Sequence, residues 1–297
     1  MKINSLKFNN STIHKMYHGN ELVNKIGDAF TYMEASGDTP TPPTPVPYSG
    51  QYLTFVAEAD NLTIGLAYAE DNVFQYSTDS GATWSDLTNN ESTSSVNSGE
   101  TIMFKASGLT KHSYYGIGVL TPSVNARVQG NIMSLVYGDN FARKTSLEID
   151  SQFAALFWRA TKLTSAENLI MPATTLRQGC YSEMFNGCTS LTTAPTLPAT
   201  TLVSACYYYM FMSCTSLNYI KCLATDIPTS NCTYQWVSGV ASTGTFVKAA
   251  SMNDWTTGRS GIPNGWTVQN DDDDIDIPVD GGGWDSGGGG LDPGDAD

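Results

Sequence analysis

The chain has 297 residues, 40% of them hydrophobic, with 15 Lys and Arg against 29 Asp and Glu and a net charge of −14. Ten of the acids lie after Gln269 with no Lys or Arg among them, which leaves −4 for residues 1–269. A near-neutral body and an acidic end that repels phosphate argue against nucleic acid and anionic membrane surfaces as partners. No stretch approaches the roughly 20 apolar residues of a membrane span.

Residues 1–35 read as short strands over 4–8, 12–17 and 21–26, separated by the turn formers Asn9-Asn10 and His18-Gly19-Asn20. A meander this small and without cysteine buries too little surface to fold alone, so it is expected to take its core from a partner or another copy. Leu6, Phe8, Ile13, Tyr17, Leu22 and Ile26 are its anchoring positions. No apolar run of the about 7 to 15 residues of a secretory signal opens the chain, so the expected starting compartment is a cytosol. Residues 36–48 hold Pro40, Pro42, Pro43, Pro45 and Pro47 and read as a stiff stalk. At about 3.1 Å per residue it spans up to about 40 Å.

Over 49–137 the pattern is short β runs, at 51–58, 62–69, 73–77, 101–106, 114–119, 126–128 and 132–136, between Gly, Asn, Asp and Ser turns. That number of strands in so short a segment predicts an Ig-like β-sandwich with Tyr52, Phe55, Phe74, Trp84, Ile102 and Phe104 in its core. Ser77, Asp79, Gly81, Thr83 and Trp84 spell SxDxGxTW, which resembles the Asp box of sialidases and other propellers. The resemblance implies a structural hairpin turn set by Asp79 and Gly81 with Trp84 packed beneath it.

Self-similarity dominates residues 138–223. MPATTLRQGCYSEMFNGCTSL (171–191) and LPATTLVSACYYYMFMSCTSL (197–217) match at an offset of 26, and an eroded copy, FAALFWRATKL (153–163), aligns at 28. Within a unit Cys180, Met184, Phe185 and Cys188 fall at i, i+4, i+5 and i+8, which predicts one face of a short helix followed by an extended stretch. A period of 26 to 28 lies in the leucine-rich-repeat range, where each unit buries its apolar face on the next. Cys180 over Cys206 and Cys188 over Cys214 are then core ladder positions and free thiols. Residues 224–269, with Trp236, Phe246, Trp255, Ile262 and Trp266, read as a C-terminal cap, and 270–297 as an acidic, Gly-rich tail suited to a basic groove on a neighbouring subunit.

The unit MFxxCTSL with its PATTL lead, the approach segment GNIMSLVYGDNF and the closing NCTYQWVSGVASTGTFVKAASMNDWTTGRSGIPNGWTV resemble BspA-like leucine-rich-repeat proteins of gut Bacteroidales and their phages, over residues 48–268. The resemblance implies adhesion and surface display, and not catalysis. Beside it, the residues themselves offer no GxSxG, HExxH, P-loop or dinucleotide fingerprint. Paired carboxylates occur only in the tail, and the five arginines show no grouping in sequence. The cysteines, all between Cys180 and Cys232, contain no CxxC pair and lie far from the three histidines, so neither a metal nor another cofactor is expected.

The predicted fold class is therefore multi-domain and mainly β: an N-terminal β meander anchor, an Ig-like β-sandwich, and a short α/β leucine-rich-repeat-like solenoid with a C-terminal cap. The predicted function is that of a non-enzymatic bacteriophage virion protein, a head (capsid) or tail fibre. Its partners are other virion proteins through the N-terminal segment, further copies of itself in a homo-oligomer, and host surface or mucin glycans. Its place is the virion, assembled in the host cytoplasm. The alternative is a secreted bacterial BspA-like adhesin at the cell surface. Repeats hold their core and vary their surface, so the change from Ser182-Glu183 to Tyr208-Tyr209 marks Tyr208 and Tyr209 as ligand-binding candidates.

Overall fold

The computed structural model describes residues 16–18, 21–23, 51–110, 113–229 and 231–271, and the chain divides into two compact units, Met1–Pro45 and Val46–Asp297. In the first unit β1 (Met16–His18) and β2 (Glu21–Val23) pair antiparallel, with Tyr17 opposite Leu22. Two of the expected anchoring positions are thus register partners in this strand pair. Leu6, Phe8, Ile13 and Ile26, the expected strand over 4–8, the proline stalk and the tail beyond Asp271 lie outside the described residues.

The second unit is mainly β and contains a β-solenoid of about four turns. It opens with β3 (Leu53–Ala57), β4 (Ile64–Ala67), β5 (Phe74–Ser77), β6 (Ser85–Leu87), β7 (Thr101–Lys105), β8 (Val119–Pro122) and β9 (Ala126–Asn131). Strands β9, β3, β7, β5 and β6 lie side by side in antiparallel pairs, while β4 and β8 form a separate two-stranded sheet. Phe55, Ile102, Phe104 and Val128 from the first sheet share one core with Ile64, Leu66 and Leu120 from the second.

Two expected strands differ. Over 114–119 the chain forms a 3-10 turn, Ser113–Tyr115, because Gly116 and Gly118 take φ of 60° and 138°, and extended structure starts only at Val119. Over 132–136 it forms a single helical turn, α1 (Ser134–Tyr137), whose start is fixed by the Asn131 Oδ1 atom accepting from the Met133 amide at 2.9 Å. Residues 132–136 are all buried, and so short a run, apolar except for Ser134, carries no period to separate strand from helix.

Strand β9 is the hinge of the topology. One edge pairs antiparallel with β3, and the other pairs parallel with β10 (Leu163–Ile170). From there β11 (Thr193–Leu197), β12 (Tyr219–Cys222), β13 (Thr245–Ala249) and β14 (Thr267–Asp271) continue the ladder in parallel, giving one ten-stranded sheet among the described residues. The segment read as a cap thus contributes two further rungs. Successive strands pair 28, 26, 26 and 22 residues apart, as Ser165, Thr193, Tyr219, Thr245 and Thr267 show.

The side opposite the strands is not helical, which corrects the expected α/β unit. Over 177–188 the backbone is a run of turns with φ of 63°, 55° and 79° at Gly179, Glu183 and Gly187. Ala205, Tyr209 and Ser213 repeat this in the next coil, and Ser151, Ala155 and Arg159 in the one before. Alternate amides have different partners. Those of Cys180, Ser182, Met184, Asn186 and Cys188 donate to the carbonyl three residues back, whereas those of Gly179, Tyr181, Glu183, Phe185 and Gly187 donate to Ser204, Cys206, Tyr208, Met210 and Met212 of the next coil. Every amide of the run is satisfied, half within its coil and half between coils. The resulting unit is four residues long, two side chains in and two out: Cys180, Tyr181, Met184, Phe185 and Cys188 are buried as the spacing demanded, on a different backbone.

The interior is a set of ladders. Phe153, Tyr181, Tyr207 and Trp236 stack with centroids 6.0 to 6.2 Å apart, and Phe157, Phe185 and Phe211 stack at 5.2 to 5.4 Å beside them. All six cysteines are free and buried. The Cys188 and Cys214 thiols donate to the carbonyls of Phe157 and Phe185, each at 3.0 Å. Burial pushes Cys180 and Cys222 up to about 12 and raises Cys188, Cys206 and Cys214 as well, so these groups hold little nucleophilic thiolate at neutral pH. The native protein should therefore resist a thiol reagent such as DTNB until denaturant exposes all six cysteines; rapid native labelling of several thiols would contradict the ladder.

Tyr181 carries a second prediction. Its hydroxyl is fully enclosed without a hydrogen-bond partner, and the matching position one coil earlier is Phe153. Tyr181→Phe removes a desolvated polar atom and leaves the stack intact, so it should raise stability by about 1 kcal/mol, read as an increase in Tm.

Candidate functional site

The turn runs present two outward positions in every four, and these are the most varied positions of the repeat. In coil order the first pair reads Ala154-Ala155, which other parts of the fold cover, Ser182-Glu183, of which Glu183 is buried, then Tyr208-Tyr209 and Tyr234-Gln235. The second residue of each of the last three pairs, Glu183, Tyr209 and Gln235, holds a left-handed backbone with φ of 55°, 53° and 48°. Consecutive coils are locked by the Glu183 amide donating to the Tyr208 carbonyl at 2.8 Å and the Tyr209 amide donating to the Tyr234 carbonyl at 3.0 Å. The surface column is therefore as fixed as the core beneath it.

The predicted pair, Tyr208 and Tyr209, is brought together with a third ring. Tyr208 lies 4.2 Å from Tyr209 edge-on and 5.3 Å from Tyr234 in a stack, and Tyr209 and Tyr234 are 5.6 Å apart. Tyr234 is 40% exposed. The cap segment disguises it, because little of the repeat beyond the cysteine survives there; yet Cys180, Cys206 and Cys232 keep the offset of 26, and Tyr234 follows Cys232 as Tyr208 follows Cys206.

Glu183 lies beside this cluster on the neighbouring coil. Among the described residues it is the buried carboxylate, only 6% exposed, and its Oε2 accepts from Asn186 Nδ2 at 3.0 Å. Burial raises its pKa, against the lowering effect of the Asn186 hydrogen bond. The hydrogen bond with Tyr208 and then burial push the Tyr209 phenol up to about 12, with the Tyr234 ring and the Glu183 charge adding to the shift. The Tyr209 phenol is thus protonated at neutral pH, and the three rings offer flat faces for stacking and hydroxyls able to hydrogen-bond. Such a surface suits a sugar ring better than a charged or purely apolar ligand.

No protein-family model, curated protein or solved structure matches the chain.

The SxDxGxTW turn lies elsewhere, between β5 and β6. Ser77 Oγ donates to Asp79 Oδ1 at 2.7 Å, the Thr83 amide donates to the same oxygen at 2.9 Å, and Thr83 Oγ1 donates to Asp79 Oδ2 at 2.6 Å. These bonds, led by the Thr83 hydroxyl, draw the Asp79 pKa down to about 2. Gly81 takes φ of 87°, and its carbonyl accepts from Trp84 Nε1 at 3.1 Å. Trp84 is half-buried, edge-on to Tyr52 at 5.0 Å and beneath the Lys105 ammonium at 4.3 Å. Asp79 spends both carboxylate oxygens on its own turn.

Among the described residues no group of three or more His, Cys, Asp or Glu is placed to hold a metal ion, and no helix is long and apolar enough to cross a membrane.

Proposed function

We propose that this chain is a non-enzymatic bacteriophage virion protein, a head or tail fibre anchored by residues 1–35, that adheres to host-surface or mucin glycans through Tyr208, Tyr209 and Tyr234. The observation that carries the adhesive part is the tyrosine column: three rings held outward by a backbone hydrogen-bonded coil to coil, so little freedom is lost when a ligand stacks on them. The virion part draws on the resemblance of the repeat to BspA-like proteins and on the split between a small N-terminal unit and a large second one. In this reading residues 49–137 are an Ig-like sandwich and the coils a leucine-rich-repeat variant whose helix is replaced by turns.

Two measurements test it. Tyr208→Ala and Tyr234→Ala should each weaken binding to mucin oligosaccharides by about 1 to 2 kcal/mol, roughly tenfold, with Tm nearly unchanged. Unaltered binding in both variants removes the column from the site. Mass spectrometry and immunogold labelling of purified phage should find the chain on particles; label on bacterial cells and none on particles would favour the secreted adhesin.

A further inference from the structure

A second aromatic cluster stands on the same face, at the end where the first coil meets the antiparallel strands. Trp158 and Arg159 occupy the outward pair of the first coil that corresponds to Asn186-Gly187 in the second. Tyr115 from the 3-10 turn lies 5.3 Å from Trp158, Tyr68 stacks on Tyr115 at 4.1 Å and 19°, and Tyr114 meets Tyr115 edge-on at 5.5 Å. Three segments far apart in sequence thus converge on one patch. Tyr68 and Tyr114 are 47% and 57% exposed. Tyr68 also holds φ of 54°, an unfavourable backbone for a bulky side chain and the sort of strain that persists at binding sites.

Arg159 gives this patch a chemical preference. Its guanidinium carbon lies 4.4 Å from the centre of the Trp158 ring, and a Cβ at Gly187 would fall 3.1 Å from Arg159 Cγ, so the glycine makes room for the side chain to lie across the second coil. Arg127 and Arg177 are paired with Glu58 and Asp150, whereas Arg159 has no carboxylate partner among the described residues. A guanidinium placed over an indole face and unpaired with a carboxylate can turn its N–H fork to a carboxylate or a sulfate.

We infer that Tyr68, Tyr115, Trp158 and Arg159 form a second subsite that takes an acidic sugar, its ring against the aromatics and its anionic group on Arg159. The inference rests on the glycan-adhesion reading and extends it. Parallel coils stand about 4.8 Å apart, so the subsite lies about 10 Å along the axis from Tyr208 and Tyr209, within reach of one oligosaccharide. Glu183 and Asn186 occupy the coil between.

The test is calorimetric titration of the full chain with pairs of an acidic and a neutral sugar: 3′-sialyllactose and lactose, galacturonic acid and galactose, sulfated and unsulfated lactose. The acid member of at least one pair should bind about tenfold more tightly, as expected for a charge-assisted contact. Arg159→Ala should abolish that preference and leave the neutral sugar unaffected. Arg159→Lys should restore it only in part, and Tyr68→Ala should weaken both members. Which pair responds separates a carboxylate from a sulfate. Equal binding within every pair, or a preference that survives Arg159→Ala, overturns the subsite while the tyrosine column stands. An Arg159-dependent preference that is indifferent to Tyr208→Ala does the reverse. No binding to any sugar refutes both.

Discussion

Trp236→Ala is expected to be the most damaging single substitution in the second unit, lowering stability by about 3 to 5 kcal/mol. Trp236 is fully buried and receives both aromatic ladders: Tyr207 stacks on it at 6.1 Å and Phe211 leans against it at 6.1 Å. On its far side it stacks on Trp255 at 5.7 Å and meets Phe246 edge-on at 6.1 Å. Truncation leaves a cavity the rigid coils cannot close, and it strands the Gly261 carbonyl, which accepts from Trp236 Nε1 at 2.9 Å. Coils exchange stability chiefly with their neighbours, so the loss should spread from the fourth coil outward. Hydrogen exchange should show β13 and β14 losing protection well before β3 and β7. Uniform loss across all strands would mean that the antiparallel strands and the solenoid unfold as one.

Gly130→Ala should be nearly as severe and should act at the other end. Gly130 has φ of 81°, and an added Cβ would lie 2.0 Å from the Tyr52 carbonyl oxygen, a backbone atom that cannot swing aside. The left-handed conformation costs a residue with a Cβ about 1 to 2 kcal/mol, and the clash adds to it, for at least about 3 kcal/mol in all. Because β9 pairs with β3 on one edge and β10 on the other, this strain falls on the junction between the antiparallel and parallel halves of the sheet. Denaturant unfolding should change from one transition to two as the halves uncouple. A single transition at the wild-type midpoint would show that the junction adapts.

The burial of the solenoid was legible in sequence, but its backbone was not. Inward positions at i, i+4, i+5 and i+8 satisfy a helix of period 3.6 as well as a turn of period 4; Tyr181, inward next to Cys180, is what favours the latter. The left-handed positions gave only partial warning: Gly179 and Gly187 hold two of them in one coil, but Glu183, Tyr209, Ala205 and Arg159 occupy sites where glycine would have announced a turn. Inter-coil hydrogen bonds offset that local cost, and they exist only once coils stack. Strand β6 went unseen because Leu87 is its one buried residue. Of the candidate sites, Tyr208 and Tyr209 were visible as a change on a repeated surface. The meeting of Tyr68, Tyr115 and Trp158 was hidden, since spacing in sequence carries no trace of contacts between remote loops.

The alternation of amide partners also decides how the solenoid answers force. Coil-to-coil hydrogen bonds run along the axis on two sides, through the parallel strands and through every second amide of the turn runs. A pull along the axis stretches both rows together. Separating two coils then means breaking the whole set within a short extension, not peeling a single edge one bond at a time. Such a solenoid holds its length under tension up to a threshold and yields in steps of one coil, a response single-molecule stretching would read as evenly spaced force peaks.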